Sequence, residues 1–438
     1  MKRPHLAIGL ILAVLASAST WFYMNRILRA DQIADAATHN RPRGNLSDLY
    51  PRWLGARELM LHRRNPYSAE ITREIQQGYY GRAIDPTRPD DPTDQQAFAY
   101  PAYVAFLLAP TVNLPFDVVQ TGFRWLLIAL AAGSIFLWLR VLRWNASCGT
   151  IVILSVLSAG WLPMVQGIKL QQLSLLVATL LAACGACLAG GWLFLGGGLL
   201  ALATIKPQLA WPLVLWLLLW ALSDWRSRRR FVFGFALAML MLLAGAEFIL
   251  PGWLRMFIDA IGQYHRYTHN QSVLVFLLGS IAGRVFELLS LMACLICLRQ
   301  VRRKPASSTD FGRAFALVLA LTVVIVPMFA PYNQVLLLPA ILALVWSEIS
   351  SGDSSSDSSN PSATLPAVRL ARRIGAVLLL WPWIVTLSLS AASLWLTPEL
   401  RHKLWPLPFY SNFMLPIFVY GLSLLECWMP PATLRDTR

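Results

Sequence analysis

The sequence is poor in charged residues. Only 13% of its 438 residues are Asp, Glu, Lys or Arg, whereas soluble globular proteins carry about 25%. Hydrophobic residues make up 57% of the chain and fall in blocks, and a block of roughly 17–25 apolar residues can cross a bilayer. This composition leaves no room for a separate soluble domain. Residues 1–438 are therefore predicted to form a single polytopic membrane domain.

Acidic residues are scarcer than basic ones. The chain has 22 Asp and Glu against 37 Lys and Arg, which gives a formal net charge of +15. In a soluble protein such a surplus would favour nucleic acid as a partner, but here the cations stand in short clusters between apolar blocks. Clusters of this kind set the orientation of membrane proteins. Membrane lipids are therefore expected partners, and nucleic acid is not.

Cysteine is present without the pattern of a metal site. Four of the six cysteines form two C-x-x-C pairs, Cys184 with Cys187 and Cys294 with Cys297. Each pair lies inside an apolar run, without a nearby His or carboxylate to complete a zinc site. At this spacing on a helix, Cys packs as a small residue. The sequence predicts no metal centre, no disulfide framework and no cofactor.

The apolar runs predict an all-α integral membrane protein, a bundle of about twelve transmembrane helices. The first run follows Lys2 and Arg3 and has no small-x-small cleavage site after it, so it is expected to remain as a span. A polar segment near the end, residues 350–372, begins with many Ser, Asp and Gly residues and is predicted to be a flexible cytoplasmic linker. The expected spans are Leu6–Met24, Phe116–Leu139, Ile151–Gln166, Leu173–Leu188, Trp192–Ile205, Leu209–Leu222, Phe231–Leu250, Ile281–Leu298, Phe315–Met328, Val335–Ile349, Ile374–Leu396 and Phe413–Cys427.

A large polar loop, residues 25–115, follows the first span. It ends in an apolar stretch, Phe98–Leu114, that Pro101 and Pro110 interrupt. If this stretch crossed the membrane, the arginines of residues 226–230 would lie on the extracytoplasmic side. If it is re-entrant or interfacial, every short basic loop lies on the cytoplasmic side, as the positive-inside rule requires. We therefore expect a multi-pass protein of the plasma (inner) membrane with both termini cytoplasmic. The 25–115 loop would be extracytoplasmic and carry interfacial or re-entrant segments.

Asp48 lies in this loop, just before a stretch with helical apolar spacing, Trp53–Leu61. That helix is expected to lie on the membrane surface. Asp48 has two interpretations: the N-cap of the helix, or the general base that removes a proton from an acceptor hydroxyl. Tyr50 and Trp53 beside it are candidates for stacking on sugar faces. Three further loop carboxylates are expected to be solvated surface, namely Asp90, Asp91 and Asp94.

Lys206 lies between two apolar runs. In the expected topology this position is at the outer membrane–water interface. A cation there opposes the inward charge bias. Lys206 therefore either snorkels to water or pairs with an anionic phosphate near the membrane surface. Gln172 opens another run in a comparable position. Its amide either binds sugar hydroxyls or is ordinary loop polarity.

A later outer loop, residues 264–272, combines two histidines, an arginine and two tyrosines. This composition suits phosphate and sugar recognition. The candidates for substrate binding in this loop are His265, Arg266, His269 and Asn270. The two histidines are spaced for a metal, but no third ligand is evident. Asn333, in a tight outer turn, is a further candidate for lining a cleft.

The order of these residues resembles a known family. Along the chain stand Asp48-Leu49-Tyr50 with Trp53, Asn65-Pro66-Tyr67, Tyr100-Pro101, Gln172, Lys206-Pro207 and Asn270-Gln271-Ser272. Over about 350 N-terminal residues this order is similar to glycosyltransferase family 87 of the GT-C superfamily, which includes polyprenol-phosphate-mannose-dependent α-mannosyltransferases. The resemblance implies a polyprenyl-phosphate-linked sugar donor, transfer on the extracytoplasmic side, and Asp48 as catalytic base. Tyr100 joins the substrate-binding candidates on the same ground.

Together these residues predict a membrane glycosyltransferase that moves a hexose, expected to be mannose, to an acceptor hydroxyl on a lipid or glycan. Lys206, with His265 or Arg266, would balance the charge of the departing phosphate, and one displacement with one base would invert the anomeric centre. A transporter or flippase of lipid-linked sugars would use similar groups, but it should show internal repeats and polar groups at mid-membrane. A structural or assembly protein without chemistry is the third interpretation.

Overall fold

The structure is a computed structural model that describes residues 3–41, 43–85, 87–268, 270–327, 330–354, 366–393 and 395–428. Every regular element in these ranges is a helix. An apolar run in lipid has no water to bind its peptide groups, and a helix satisfies each of them within the same segment. The all-α class predicted from the sequence is therefore confirmed for the described part of the chain.

Long apolar helices dominate the described residues. By length and composition, seven segments are able to cross a membrane, namely His5–Thr38, Phe116–Val141, Trp225–Ile249, Ser280–Val301, Pro331–Ser350, Ala367–Ala392 and Glu399–Trp428. An eighth candidate is a pair of helices, Cys148–Ala159 and Leu162–Lys169, that meet at a bend of 58°. These segments identify a multi-pass integral membrane protein. A total of about twelve spans stays a prediction.

The helices begin and end close to the predicted apolar runs. The bent helix pair opens at Ser147, whose hydroxyl accepts a hydrogen bond from the Thr150 N–H as an N-cap. In chain order the helices are α1 (Arg3–Phe22), α2 (Arg29–Thr38), α3 (Tyr50–His62), α4 (Ala69–Tyr80), α5 (Val104–Leu108), α6 (Phe116–Val141), α7 (Cys148–Ala159), α8 (Leu162–Lys169), α9 (Leu173–Ala189), α10 (Leu193–Ala203), α11 (Pro207–Leu222), α12 (Trp225–Ile249), α13 (Trp253–Thr268), α14 (Val273–Leu278), α15 (Ser280–Val301), α16 (Thr309–Ile325), α17 (Leu338–Ser354), α18 (Pro366–Ala392), α19 (Pro398–Leu404) and α20 (Leu415–Trp428). A π-helical turn, Tyr23–Leu28, joins α1 to α2, and a 3₁₀ helix, Pro331–Leu337, precedes α17.

The 25–115 loop folds into short helices that pack on one another. The α3 helix was expected on the membrane surface, but its apolar residues Trp53, Ala56 and Leu59 are buried in the protein, against α4 and α5. The apolar face of α3 thus packs on protein, and its position at the membrane surface stays a prediction. Within Phe98–Leu114 the structure has α5, whose five residues are too few to cross a bilayer. Whether this stretch is re-entrant or interfacial stays a prediction.

Glycines bring α10 and α12 into close contact. A Cβ atom on Gly197 would lie 2.2 Å from the Phe231 carbonyl oxygen, and one on Gly234 would lie 2.1 Å from the Phe194 carbonyl oxygen. Small residues let helix backbones approach where lipid supplies no hydrophobic drive for association. This contact anchors α10 and with it the connection to α11, which carries Lys206.

Two groups of loops lie at opposite ends of α9. Beside its first residue, the Asp48 N–H donates to the Leu170 carbonyl oxygen at 2.9 Å. Beside its last residue, Arg143 donates to the carbonyl oxygens of Ala189 and Ser307 at 3.1 and 3.0 Å. The polar loop 25–115 therefore belongs to one end of the helices, and basic loop residues such as Arg143 to the other.

The segment 350–372, predicted to be a flexible linker, is only partly described. Residues 350–354 continue α17 and residues 366–372 begin α18, so the ends of the predicted linker are helical. The middle of the segment, residues 355–365, lies outside the described residues. The flexibility of the segment stays a prediction.

Candidate active site

Asp48, Gln172 and Lys206 lie at helix starts that meet at one end of α9. Asp48 stands two residues before α3, while Gln172 and Lys206 directly precede α9 and α11. Pro207 occupies the first position of α11, where the missing N–H costs no helical hydrogen bond. Residues before a helix have backbone freedom that residues inside it lack, so their side chains can converge from separate parts of the chain.

The carboxylate of Asp48 is held by two neutral donors. The Tyr79 hydroxyl donates to its Oδ1 at 3.0 Å, and the Gln172 side-chain amide donates to its Oδ2. The residue that caps α3 is Leu49, which makes no side-chain cap. The N-cap interpretation of Asp48 is therefore wrong, and the carboxylate faces other groups.

The ammonium of Lys206 is buried, because only 2% of this residue is exposed. Its Nζ donates to Gln172 Oε1 at 3.1 Å, to Ser174 Oγ at 2.6 Å and to Asn333 Oδ1 at 3.4 Å. The ring of Tyr332 lies 5.1 Å from the ammonium, within reach of a cation–π interaction. The snorkelling interpretation is therefore wrong, and all three hydrogen-bond acceptors of this cation are uncharged.

Gln172 connects the acid and the cation. Its Nε2 donates to Asp48, and its Oε1 accepts from Lys206. A side-chain amide has both donors and an acceptor, so it can satisfy both charged groups without neutralising either. The amide thereby holds Asp48 and Lys206 apart, so that the two side chains do not pair directly.

Arg52 is a second cation beside Asp48. Its Nη1 donates to the Asp48 main-chain carbonyl oxygen at 2.6 Å, one helical turn back. The guanidinium carbon lies 4.4 Å from the centre of the Tyr100 ring. Its Nε is buried and has no hydrogen-bond partner among the described residues. Arg52 is thus a half-buried cation, and its hydrogen bond and ring contact are to uncharged groups.

These groups line one cavity of ≈480 Å³. Its polar lining comprises Asp48, Arg52, Tyr79, Asp94, Gln96, Tyr100, Gln172, Lys206, Gln208, Tyr264, His265, Asn270 and Tyr332. Apolar residues from α11 and α13 close another part of it, namely Trp211, Phe257 and Ile261. A pocket with a few convergent polar groups and an apolar wall is typical of a small-ligand site. In the described part of the chain, no group of three or more His, Cys, Asp or Glu side chains is placed to hold a metal ion.

Burial changes the acidity of two groups in this cavity. It lowers the pKa of Lys206 to about 7, and the Arg52 charge acts in the same direction. Burial also raises the pKa of Asp94 above its ordinary value, because a charged carboxylate is less stable away from water. The prediction that Asp94 is solvated surface is therefore wrong. It is also wrong for Asp91, whose largely buried carboxylate pairs with Arg82.

Residues 98–331 match the family model of glycosyltransferase family 87. The chain belongs to glycosyltransferase family 87. The resemblance drawn from the sequence is confirmed, and the protein is a membrane glycosyltransferase of the GT-C type. No curated protein and no solved structure matches the chain significantly.

The family 87 match covers only part of the candidate site. It includes five of the predicted site residues that line the cavity, namely Tyr100, Gln172, Lys206, His265 and Asn270. Asp48 precedes the matched residues and Asn333 follows them. The family match therefore does not support Asp48 as a site residue, and its candidacy depends on its position in the cavity.

Two aromatic residues predicted to stack on sugar belong to the core of this family 87 chain. Trp53 is 2% exposed, and its Nε1 donates to the Thr111 carbonyl oxygen at 3.2 Å. Tyr50 packs edge-on against Phe116, with ring centres 4.8 Å apart. Neither residue lines the cavity. The structure therefore does not bring Trp53, which is buried, or Tyr50, which is half-buried against the core, to the cavity, and substrate contact by them stays a prediction.

The later outer loop contributes only some of its predicted residues. His265 and Asn270 line the cavity, whereas Arg266 is not part of the lining and its Nε donates to the Gly262 carbonyl oxygen on its own helix. Arg266 is therefore not brought to the cavity, and its role in phosphate binding stays a prediction. His269 lies outside the described residues. Asn333 is buried behind Lys206, where it accepts hydrogen bonds from Lys206 and Ser174.

Sequence reasoning missed Arg52, Tyr79 and Asp94 as cavity residues. Arg52 had a usable signal, since it follows Asp48 by four positions at the start of a predicted helix and so shares its face. Tyr79 lies 31 positions from Asp48, and no local pattern connects the two. Asp94 stands in a Pro- and Asp-rich stretch whose composition favours solvated surface.

Proposed function

We propose that this glycosyltransferase transfers a hexose, expected to be mannose, from a polyprenyl-phosphate-linked donor to an acceptor hydroxyl, with inversion. Asp48 acts as the general base, and Lys206 and Arg52 bind the donor phosphate. The observation that carries the proposal is the Asp48–Gln172–Lys206 bridge inside one cavity. Family 87 membership supplies the transferase class, and the chemistry of the cavity supports the donor.

The cations of Lys206 and Arg52 support a phosphate-bearing donor. A buried charge is costly unless it is paired, and the contacts of Lys206 and Arg52 described above are to uncharged groups. A phosphate oxygen would compensate both charges through charge-assisted hydrogen bonds. The apolar wall of Trp211, Phe257 and Ile261 offers contacts for the first isoprenyl units of such a lipid.

The carboxylate of Asp48 supports a direct displacement. The acceptor hydroxyl gives its proton to Asp48 while its oxygen bonds to the anomeric carbon of the donor. The bond between that carbon and the phosphate oxygen breaks, and the polyprenyl phosphate leaves with the electron pair. Lys206 and Arg52 then stabilise the added negative charge. A single displacement of this kind inverts the anomeric centre.

The arrangement of the loops supports an extracytoplasmic site. The cavity belongs to the end of α9 that carries the 25–115 loop, while Arg143 and Arg228 lie among loops of the other end. Because basic loops stay in the cytoplasm, the cavity would face the outside of the plasma membrane. Both termini would then be cytoplasmic, with about twelve crossings.

Transfer and transport can be separated by one experiment. The purified protein, reconstituted in vesicles, is given radiolabelled polyprenyl-phosphate mannose together with membrane lipids of the source cells. Label on a new acceptor is the expected result. Label that only crosses the bilayer, without a new product, would identify a transporter or flippase and would overturn the proposal.

A further inference from the structure

The 25–115 loop holds a second cavity next to the first. Its volume is ≈440 Å³, and its wall comes mostly from α2, the segment between α2 and α3, the end of α4 and the segment after α4. Tyr79, Asp94, Gln96 and Leu170 line both cavities. Since the Tyr79 hydroxyl also donates to Asp48 at 3.0 Å, the second cavity ends one side chain away from the proposed base.

The charges of the second cavity are largely paired. Arg41 pairs with Asp35, and Arg82 pairs with Asp91 through an Nη1–Oδ2 contact of 2.8 Å. In the first cavity, by contrast, the hydrogen bonds of Lys206 and Arg52 go to uncharged atoms. The second cavity therefore offers less to a phosphate than the first does, and it is better matched to an uncharged polar ligand.

Hydrogen-bonding groups and aromatic rings stand together in this second cavity. The Nη1 of Arg43 is buried without a hydrogen-bond partner among the described residues, which is unfavourable, and a ligand oxygen would supply the missing acceptor. Tyr79 and Tyr80 meet edge to face at 4.8 Å. Sugar hydroxyls donate and accept hydrogen bonds, and sugar rings pack on aromatic faces.

We propose that the second cavity binds the acceptor as a glycan. An uncharged sugar unit contacts Arg43 and the Tyr79–Tyr80 pair, and the hydroxyl that reacts extends past Tyr79 to Asp48. This inference rests on the proposed function, and it names the acceptor class: a sugar-bearing molecule, with or without a lipid, in place of a simple lipid alcohol. Donor and acceptor then enter from two sides of Asp48.

Protection of an introduced cysteine tests occupancy of this cavity without requiring turnover. Ala83→Cys places a thiol in the lining of the second cavity, and Thr93→Cys places one at an exposed position of the same loop that lines neither cavity. Both are made in a Cys148→Ser background, because Cys148 is exposed. The full-length protein in nanodiscs is labelled with a small maleimide, in the presence of octyl α-mannoside, octanol or polyprenyl phosphate.

Octyl α-mannoside should slow labelling at Ala83→Cys by about tenfold when present at roughly ten times its dissociation constant. It should leave labelling at Thr93→Cys unchanged, and octanol and polyprenyl phosphate should protect neither site. Equal protection by octanol, protection by polyprenyl phosphate alone, or no protection by the mannoside at saturation would each overturn the inference.

Kinetics give a second test. Arg43→Gln should raise the KM for octyl α-mannoside by about tenfold, as the loss of one hydrogen bond to a charged group predicts, and leave the donor KM unchanged. Arg88→Gln, at an exposed position outside both cavities, is the matched control and should change neither. A change in donor KM alone, or an unchanged acceptor KM, would contradict the inference.

Failure of this inference is distinguishable from failure of the proposed function. If the wild-type protein transfers no sugar from polyprenyl-phosphate mannose to any acceptor, the proposed donor chemistry is wrong, and cysteine protection still decides whether the second cavity binds a glycan. If transfer occurs but protection does not, the donor chemistry stands and the glycan site is wrong.

Discussion

The carboxylate of Asp48 and the ammonium of Lys206 bind opposite ends of one side-chain amide, that of Gln172. A direct ion pair would bring the two groups into contact, whereas the amide between them keeps them apart. A displacement at an anomeric carbon needs this separation, because the incoming hydroxyl and the departing phosphate lie on opposite sides of that carbon. The bridge thus places a base and a phosphate-binding cation where one sugar can lie between them.

Asp48→Asn should abolish transfer while leaving the protein folded. The amide keeps the size of the side chain but cannot accept the proton, and loss of a general base lowers rates by about 10²–10⁴-fold. The measurement is transfer of label from polyprenyl-phosphate mannose by purified protein. Asp90→Asn, at an exposed position of the same loop, is the control and should retain full activity. A near wild-type rate for Asp48→Asn would remove this residue from the mechanism.

Gln172→Ala should lower kcat/KM for the donor by about tenfold or more, because it removes hydrogen bonds to two charged groups. Without the amide, the Lys206 ammonium and the Asp48 carboxylate are free to pair directly, which weakens both as catalytic groups. Gln77→Ala, on the exposed side of α4, serves as the control for the substitution itself. Equal kinetics for the two variants would show that the bridge has no part in the reaction.

Donor binding should weaken as the pH rises above about 7, the value to which burial lowers the pKa of Lys206. Below that pH the free site already carries the ammonium, whereas above it the amine must take up a proton before it can pair with the phosphate. The dissociation constant of the donor should therefore rise by up to about tenfold per pH unit, until the pKa of the complex is reached.

Lys206→Met should bind the donor weakly and show no such pH dependence, since it has no group to protonate. Lys169→Met is the matched control, because Lys169 contacts Asn25 and lines neither cavity. Its donor affinity should follow the wild-type pH profile. A pH profile that persists in Lys206→Met would assign the titration to another group.

Trp53→Ala should act on stability and not on substrate recognition. Its indole is 2% exposed, and removal of a buried Trp side chain costs about 3–5 kcal/mol. The melting temperature of the detergent-solubilised protein should fall, while the donor KM of the molecules that remain folded should stay near the wild-type value. A large increase in donor KM with an unchanged melting temperature would restore Trp53 as a substrate-binding residue.

The sequence was sufficient to predict the class of fold and a part of the site. Apolar runs of bilayer length have only the helix available to satisfy their peptide groups, so the all-α class followed. Asp48, Gln172 and Lys206 could be grouped because each stands at the edge of an apolar run on the same expected side of the membrane. The structure brings these three into one cavity.

The remaining errors come from tertiary packing. Proximity of Trp53 to Asp48 in the sequence indicated a shared surface, yet residues five apart on a helix lie on different faces, and Arg52, at a spacing of four, is the one that reaches the cavity. Tyr79 and Asp94 approach Asp48 through the path of the loop, which no local spacing encodes. The composition of its stretch indicated that Asp94 is solvated. In the structure Asp94 instead accepts a hydrogen bond from the Gln96 side chain and is partly removed from water.

The most direct test is an electron cryomicroscopy structure of the full-length Asp48→Asn protein with polyprenyl-phosphate mannose bound. The account predicts phosphate density within hydrogen-bond distance of the Lys206 ammonium, with Arg52 nearby and the sugar between the phosphate and residue 48. Phosphate density outside this cavity, or a sugar with residue 48 and Lys206 on the same side of its anomeric carbon, would contradict it.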